Sequence, residues 1–393
     1  MIYVHIPYCR SFCTYCDFYS EVAAKCSTYG GFAQALSAEI AAREGEIRNN
    51  ILSPSGVNTL YIGGGTPSVL PLSVFDSILS SLESVGCTSN FDEFTVEVNP
   101  EDIVEKGHSY VEGLLKLGVN RVSMGVQSFD DATLKWMNRR HDSSRAKHAY
   151  AILEESGVKN ISIDLIFGLP QLNLAGWEDN LSKAMSISPS GQLPNHISSY
   201  QLSVEEGSAL ASMMAKGKWS EATEEICAQQ YETLCKILGQ AGYHHYEISN
   251  FAQPGYEARH NSAYWNHVPY VGLGPGAHSF GSVVESLSFE PVLVRRWNNP
   301  DLAAYIEAGK SGDFSSVQGG EDLTSDQLNL ERLMLGLRTS SGLPKSFMEE
   351  TCSRESIRQA LDKGHLQALE NGRFRIPEDK FFISDAIITD LSM

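Results

Sequence analysis

The sequence predicts an α/β fold, a partial (β/α)6 barrel of the TIM type with a C-terminal extension and a small winged-helix-like α+β domain. Two observations predict the barrel. Short strand patterns alternate with helical patterns over the first half of the chain, and repeated strand–helix units require parallel strands joined by right-handed crossovers. Polar residues follow almost every strand, and in a parallel barrel the functional residues lie at these carboxyl ends of the strands. Alternation alone also allows a doubly wound sheet, and the polar strand ends favour the barrel.

Six strand patterns build the predicted barrel, which we expect within residues 1–205. A helical pattern after the first strand places Phe32, Leu36, Ile40 and Ile47 on one face. Helical segments also separate the later strands. The six predicted strands are Ile2–Ile6, Thr59–Ile62, Phe94–Val98, Arg121–Val126, Ile161–Ile166 and His196–Leu202.

An extension of the barrel is expected over residues 206–310. Within it, Ser220–Ala241 has the periodicity of a helix, and its apolar stripe consists of Ile226, Leu234, Ile237 and Leu238. The segment Gly309–Gly320 is rich in glycine and serine and shows no periodicity. This composition predicts a linker to a further domain.

A small C-terminal domain is expected over residues 321–393. It opens with Thr324 and Gln327, the spacing of a capping box before an apolar helical pattern. A second helix is predicted around Ser353–Lys363, and Asn371–Gly372 predicts a hairpin turn. Helices followed by a small hairpin indicate a winged-helix-like module.

The composition indicates a cytoplasmic globular protein. The formal net charge is -18, which argues against nucleic acid as a partner because phosphate binding needs clustered lysine and arginine. No stretch is long and apolar enough to span a bilayer, and Met1 leads directly into a strand pattern. Five cysteines lie scattered without framework spacing, as expected for reduced thiols: Cys26, Cys87, Cys227, Cys235 and Cys352.

Three further cysteines, Cys9, Cys13 and Cys16, lie directly after the first strand. Thiolates spaced this closely can hold a soft metal, and three of them leave one iron of a four-iron cluster without a protein ligand. A structural zinc site is the alternative. It would require four closed ligands, and no second cysteine pair lies close by in the sequence. The spacing therefore favours an iron–sulfur cluster with one open iron.

Polar residues and glycines mark the carboxyl ends of the next four strands. Glu97 and Asp164 lie inside patterns rich in β-branched residues, where an unpartnered carboxylate would be costly to bury. We expect them to face a ligand that has donors, such as ribose hydroxyls or an amino group. Any one of them could instead cap a strand or pair internally. The run Gly63–Gly65 lets backbone approach a ligand closely, although a tight turn would explain it equally well.

At these motifs the sequence resembles the radical S-adenosylmethionine (SAM) superfamily. More closely, it is similar to the oxygen-independent coproporphyrinogen III oxidase family and, within it, to the HemW-type heme chaperones. The segments that carry this resemblance are Tyr3-Val-His-Ile-Pro-Tyr-Cys9, Tyr15-Cys16-Asp-Phe18, Leu60-Tyr-Ile-Gly-Gly-Gly-Thr-Pro-Ser68, Glu97-Val-Asn-Pro100, Gly125-Val-Gln-Ser-Phe129, Asp164-Leu-Ile-Phe-Gly-Leu-Pro170 and His260-Asn-Ser-Ala-Tyr-Trp265.

The resemblance implies a [4Fe–4S] cluster on Cys9, Cys13 and Cys16. It also implies that SAM chelates the open iron through its amino and carboxylate groups, and that the cluster can donate an electron to cleave the SAM carbon–sulfur bond. At the arginine position the resemblance implies Arg139, whose neighbour in the sequence is Arg140. The implied SAM residues are Tyr3, Tyr15, Gly64, Gly65, Thr66, Glu97, Gln127, Arg139 and Asp164.

Two departures from the oxidase pattern favour the chaperone branch. The resemblance implies that oxidases carry a further cysteine where this chain has Phe18, and an arm before the first strand, whereas here that strand begins at Ile2. We therefore expect a protein that binds heme and delivers it to acceptor proteins, among them membrane respiratory complexes. No catalytic residue is assigned. Coproporphyrinogen oxidation is the alternative activity, and formation of a homodimer is left open.

A heme-binding segment is expected at His260–Trp265. A neutral imidazole can ligate heme iron, and Tyr264 or Trp265 could pack against the macrocycle. Alternatively, His260 ties down a loop through hydrogen bonds while the two aromatic residues fill the core. His244, His245 and His278 are weaker candidates for a heme ligand.

Overall fold

The computed structural model describes residues 1–22, 28–51, 55–87, 90–284 and 291–392. The strands are β1 (Ile2–Ile6), β2 (Tyr8–Cys9), β3 (Glu21–Val22), β4 (Thr59–Gly64), β5 (Glu93–Val98), β6 (Arg121–Gln127), β7 (Ile161–Phe167), β8 (His196–Gln201), β9 (His244–Glu247), β10 (Asn250–Ala252), β11 (Val271–Leu273), β12 (His278–Val284), β13 (Pro291–Asn298), β14 (Gln318–Asp322), β15 (Leu343–Pro344), β16 (Gln367–Ala368) and β17 (Arg373–Arg375).

Helices lie between most of these strands. They are α1 (Tyr29–Ala42), α2 (Glu44–Ile51), α3 (Leu72–Ser84), α4 (Pro100–Lys116), α5 (Asp131–Trp136), α6 (Ser143–Glu155), α7 (Leu174–Met185), α8 (Ala209–Ala215), α9 (Glu224–Gln240), α10 (Arg259–Trp265), α11 (Leu302–Ser311), α12 (Ser325–Gly336), α13 (Lys345–Thr351), α14 (Arg354–Asp362) and α15 (Ser384–Ser392).

A nine-stranded sheet in the order β11-β1-β4-β5-β6-β7-β8-β10-β9 forms the centre of the molecule. Strands β1 and β4 to β8 lie side by side in chain order and pair in parallel. This confirms the six predicted strands and the α/β fold class. Within the described residues the sheet is open, because β11 and β9 form its two edges. The carboxyl ends of the parallel strands all point to one side, which brings their polar residues together.

The first helical pattern is interrupted in the structure. Phe32, Leu36, Ile40 and Ile47 are all buried, as their spacing predicted, but α1 ends before Arg43 and Ile47 belongs to α2. Arg43 forms ion pairs with Glu39 and Glu46, at 2.9 Å each, across this break. The buried face thus continues over two short helices.

The extension differs from its prediction in two places. Helix α9 begins at Glu224 with Thr223 as its N-cap, and Ile226 is exposed although Leu234 and Leu238 are buried. The predicted linker Gly309–Gly320 contains the end of α11 and the start of β14, which pairs with β13. Glycines are needed in that strand: a Cβ on Gly319 would lie 2.5 Å from the Trp297 ring.

The C-terminal segment matches its predicted elements. Thr324 and Gln327 form the capping box, and α14 begins after Ser353 and ends before Lys363. The predicted hairpin pairs β16 with β17 in a three-stranded sheet with β15. The division of the chain at residues 205, 310 and 321 stays a prediction, since one contiguous core of buried side chains runs through all of these segments.

None of the helices in the described residues combines the length and the apolar character that a bilayer crossing requires.

The scattered cysteines are not paired in disulfides among the described residues. Cys87, Cys227, Cys235 and Cys352 are free thiols, as predicted, while Cys26 lies outside the described residues.

Candidate functional site

The cysteine loop lies at the mouth of a cavity of about 600 Å³. Cys9 belongs to β2, and its Sγ lies 3.4 Å from the hydroxyl of Thr66. Cys13 and Cys16 line the same cavity, and each is partly buried. Burial raises the pKa of Cys9 and raises that of Cys16 to about 12. Metal binding at these thiols would therefore release protons.

The spacing of the three sulfurs bears on which metal they can hold. Across the described parts of the chain, no three His, Cys, Asp or Glu side chains converge closely enough for a single metal ion. Ligands to a [4Fe–4S] cluster bind different irons and lie farther apart than the ligands of one zinc ion. The donor set of the loop, three thiols and no fourth cysteine nearby in the sequence, is the set that the [4Fe–4S] prediction requires.

The glycine run joins the end of β4 to the cysteine loop. The Gly65 N–H donates to the Ile6 carbonyl at 2.8 Å, and the Thr66 N–H donates to the Tyr8 carbonyl at 2.7 Å. A Cβ on Gly65 would lie 2.7 Å from the Tyr8 oxygen, and one on Gly64, at φ 106°, would lie 2.6 Å from the His5 ring. Close packing within the chain thus requires these glycines, and both still line the cavity.

Glu97 and Asp164 face the cavity from β5 and β7. Glu97 accepts hydrogen bonds from the Tyr61 hydroxyl at 2.6 Å and from the Gly64 N–H at 3.1 Å. Burial and the neighbouring Asp164 carboxylate raise the pKa of Glu97 to about 7, against the lowering effect of the Tyr61 hydrogen bond. Asp164 accepts from the Ser123 hydroxyl at 3.2 Å, and burial raises its pKa as well.

Arg139 connects the cysteine loop to the ends of β5 and β6. Its guanidinium donates to the Asn99 side chain at 2.8 Å and to the Gly125 carbonyl at 2.6 Å, and it lies 3.5 Å from Cys13 Sγ. Arg140 also lines the cavity, but it pairs with Glu105 at 3.6 Å and not with the cysteines. The structure therefore distinguishes the two neighbours and puts the charge of Arg139, rather than that of Arg140, beside the cysteines.

The remaining predicted residues lie around the same cavity. Gln127 ends β6 with a φ of 66°, a left-handed conformation that is strained for a residue other than glycine. The Tyr3 hydroxyl donates to His5 Nδ1 at 2.9 Å, while the Tyr15 hydroxyl lies beside Cys13. Burial raises the pKa of both tyrosines. All of the predicted cluster and SAM residues thus line one cavity.

Several residues that line this cavity were missed in the sequence, among them three on β4 and β6. Tyr61, Arg121 and Ser123 line it beside the predicted residues. The signal was present, because successive residues of a strand alternate between its faces. Arg121 and Ser123 lie four and two residues before Gly125, the residue in register with Asp164, so they share the face of Asp164.

His260 lies in α10, and its side chain is only 1% exposed. Nδ1 is hydrogen-bonded to the Thr59 hydroxyl at 2.8 Å, and Nε2 to the Tyr264 hydroxyl at 3.1 Å. Burial, with the charges of the N-terminus and Arg121, lowers the pKa of His260 to about 3. In this arrangement the neutral imidazole has the hydrogen-bonding role that the sequence left as the alternative to heme ligation.

The chain is similar to known proteins of one superfamily. The sequence profile of the radical SAM superfamily matches residues 3–184. The chain is 33% identical to the heme chaperone HemW of Bacillus subtilis, over 90% of this chain and 86% of that protein. It is also 33% identical to the heme chaperone HemW of Synechocystis sp., over 87% of this chain and 78% of that one. The chain belongs to the HemW family of radical SAM proteins.

The fold of this HemW-family chain is also found in a solved structure. Coproporphyrinogen III oxidase (HemN) from Escherichia coli superposes with a TM-score of 0.76 over 100% of this chain and 89% of that one, at 19% identity. At this sequence identity, the structural similarity shows the fold alone. Membership of the radical SAM superfamily implies a [4Fe–4S] cluster and SAM, and the three cysteines, Arg139 and the two carboxylates are a donor set that fits both groups.

Proposed function

We propose that this protein is a heme chaperone that binds a [4Fe–4S] cluster, SAM and heme, and delivers heme to acceptor proteins in the cytoplasm or at the membrane. One observation supports the cofactor part: three cysteines, Arg139, Glu97 and Asp164 line a single cavity. The heme part is supported by the relatives named heme chaperones and by Phe18 at the position where oxidases carry cysteine. Acceptors that belong to respiratory complexes, and a homodimer as the working form, are parts of the same proposal.

Each side chain of the cavity would have a separate task. Cys9, Cys13 and Cys16 would hold the cluster, which together with SAM supplies one-electron chemistry. Arg139 offers a fixed positive charge to a carboxylate beside the cysteines. Glu97 and Asp164 accept hydrogen bonds, and ribose hydroxyls are donors of the kind they require. Tyr3, Tyr15, Gly64, Gly65, Thr66 and Gln127 would complete the walls of the SAM site.

The affinity for SAM should depend on pH because of Glu97. The pKa of this carboxyl is raised to about 7 by burial and by Asp164, and its charged form is the better acceptor for ribose hydroxyls. We therefore expect SAM to bind more tightly as the pH rises towards 7. Below pH 7 the Kd for SAM should increase by at most about tenfold for each unit by which the pH is lowered. Calorimetric titration of reconstituted protein between pH 6 and pH 8 measures this.

Glu97→Gln is the control for the pH effect. The amide does not titrate, so the step near pH 7 that we assign to Glu97 should disappear. An equally steep step in Glu97→Gln would assign the titrating group elsewhere.

Heme ligation by His260 requires Nε2 to exchange its bond with Tyr264 for a bond to iron. The Thr59 hydroxyl would then hold Nδ1 and fix the ring orientation, as partners of metal-bound histidines commonly do. We expect His260→Ala to weaken heme binding at least tenfold, and Tyr264→Phe to strengthen it, because the competing hydroxyl is gone. Soret titrations of both variants measure this.

The two variants also distinguish ligation from a purely structural role. A histidine that only ties down α10 would give a His260→Ala variant with a lower melting temperature and unchanged heme affinity. Tyr264→Phe would then leave heme affinity unchanged as well.

The proposed function itself is tested against oxidase activity. Anaerobically reconstituted protein is incubated with SAM, a reductant and coproporphyrinogen III, and the products are separated by chromatography. We expect no protoporphyrinogen, together with stoichiometric heme binding in a parallel titration. Steady conversion to protoporphyrinogen would overturn the chaperone assignment in favour of the oxidase.

A further inference from the structure

Arg121 is a buried arginine that lines the cavity. It is the first residue of β6 and is 3% exposed. Its Nε has no hydrogen-bond partner. Among the residues that the structure describes, its guanidinium also forms no ion pair and donates no hydrogen bond. A buried polar group of this kind needs an explanation, because most such groups are paired.

The carboxylates closest to Arg121 are bound to other donors. Glu93 accepts the backbone N–H groups at the start of α10, at 2.8 and 3.0 Å. Glu97 is held by a tyrosine hydroxyl and a backbone N–H, and Asp164 accepts from Ser123. They act on Arg121 through their charge only: burial opposes the charged form, the Glu93 carboxylate favours it, and the pKa of Arg121 lies above its ordinary value. The guanidinium therefore stays charged.

The position of Arg121 along β6 differs from that of the SAM residues proposed at the carboxyl ends of the strands. Gln127 ends β6 at the mouth of the cavity, whereas Arg121 begins the same strand, and Ser123 is the residue in register with Glu97. By this register Arg121 lies deeper in the barrel than Glu97 and Gln127, in the row that also contains Tyr3. Its donors face the cavity, and the fork of an arginine matches a carboxylate with two parallel hydrogen bonds.

We propose that Arg121 binds a carboxylate group of a second ligand, in the part of the cavity beneath the SAM site. This inference rests on the proposed function, because SAM is taken to occupy the mouth. A carboxylate could come from two sources: a propionate side chain of the tetrapyrrole, or a free small carboxylate. The test has one arm for each source.

The first arm compares heme with heme dimethyl ester, in which both propionates are blocked. The cluster-loaded, SAM-bound protein is titrated with each, and the Soret change is measured. If a propionate reaches Arg121, Arg121→Gln weakens heme binding at least tenfold and leaves the ester unaffected. Arg121→Lys, which keeps the charge but not the fork, should bind heme with intermediate affinity.

The second arm uses propionate labelled with ¹³C at the carboxyl, without heme. Line broadening of its NMR signal by wild type, and its loss in Arg121→Gln, would identify the free carboxylate as the ligand. Bound SAM and the melting temperature are measured on each variant, and Arg121→Lys replaces Arg121→Gln if the latter does not fold.

Two results overturn the inference. One is that Arg121→Gln changes neither the difference between heme and its ester nor the propionate signal. The other is that the variant weakens heme and ester equally, which is the result expected of a purely structural arginine. Failure of the wild type to bind heme would instead remove the proposed chaperone function, while the propionate arm would still test Arg121.

Discussion

Replacing Cys16 by serine should remove the cluster. Three cysteines are the only protein ligands that the loop offers, and a cubane held by two thiolates has two open irons and is readily lost. Wild-type protein reconstituted under anaerobic conditions should contain about four iron and about four sulfide per chain, and Cys16→Ser close to none. Iron and sulfide analysis, with the visible absorbance of the cluster, measures this.

Cys235→Ser is the matched control for this experiment. Cys235 is a free thiol that lies away from the cavity, 3.9 Å from His245 Nδ1. A serine there should leave the iron and sulfide content unchanged. A full complement of iron and sulfide in Cys16→Ser would contradict the assignment of the cluster to this loop, and one zinc per wild-type chain without sulfide would contradict the cluster itself.

Replacing Arg139 by glutamine should cause the largest loss of SAM affinity among the cavity variants. Arg139 brings a fixed positive charge to within 3.5 Å of Cys13 Sγ, where a carboxylate chelated to the open iron would need a partner. Loss of a largely desolvated charge partner costs about 3 kcal/mol, or roughly a hundredfold in Kd. Calorimetric titration of the cluster-loaded variant with SAM measures the change.

Arg140→Gln is the control that the chain itself provides. The two arginines are neighbours, but Arg140 is partly exposed and pairs with Glu105. Its loss should change SAM affinity by less than about threefold, as expected for a surface ion pair. Equal losses in the two variants would show that general positive charge at the mouth, rather than the position of Arg139, attracts SAM. A Cys13→Ser variant is unsuitable here, because it removes the cluster as well.

Much of the fold follows from local patterns in the sequence. Alternation of apolar residues located the six parallel strands, and the capping box at Thr324 and Gln327 located the start of α12. These signals are local, so neighbouring residues are enough to read them. The predicted linker Gly309–Gly320 was the exception. Gly319 and Gly320 lie in a strand, where Gly319 packs closely against the ring of Trp297, a contact that composition does not reveal.

The candidate site also depends partly on local sequence patterns and partly on tertiary contacts. Cysteine spacing, the polar strand ends and the family resemblance predicted a set of residues that the structure places around one cavity, since the carboxyl ends of parallel strands must meet on one side of the sheet. The partners of those residues depend on distant parts of the chain: Thr59 and Tyr264 occupy both nitrogens of His260, and Arg139 is chosen over Arg140.

The sequence by itself determined which class of cofactor the chain has side chains to bind. The reason is that the spacing of three thiols and the alternation along strands are properties of short segments. Only the tertiary structure decided which polar groups are already satisfied. It pairs His260 within the protein and leaves Arg121 without a partner among the described residues. The physical reason is that a buried hydrogen bond depends on where two strands or helices meet, and that meeting is set by the packing of the whole barrel.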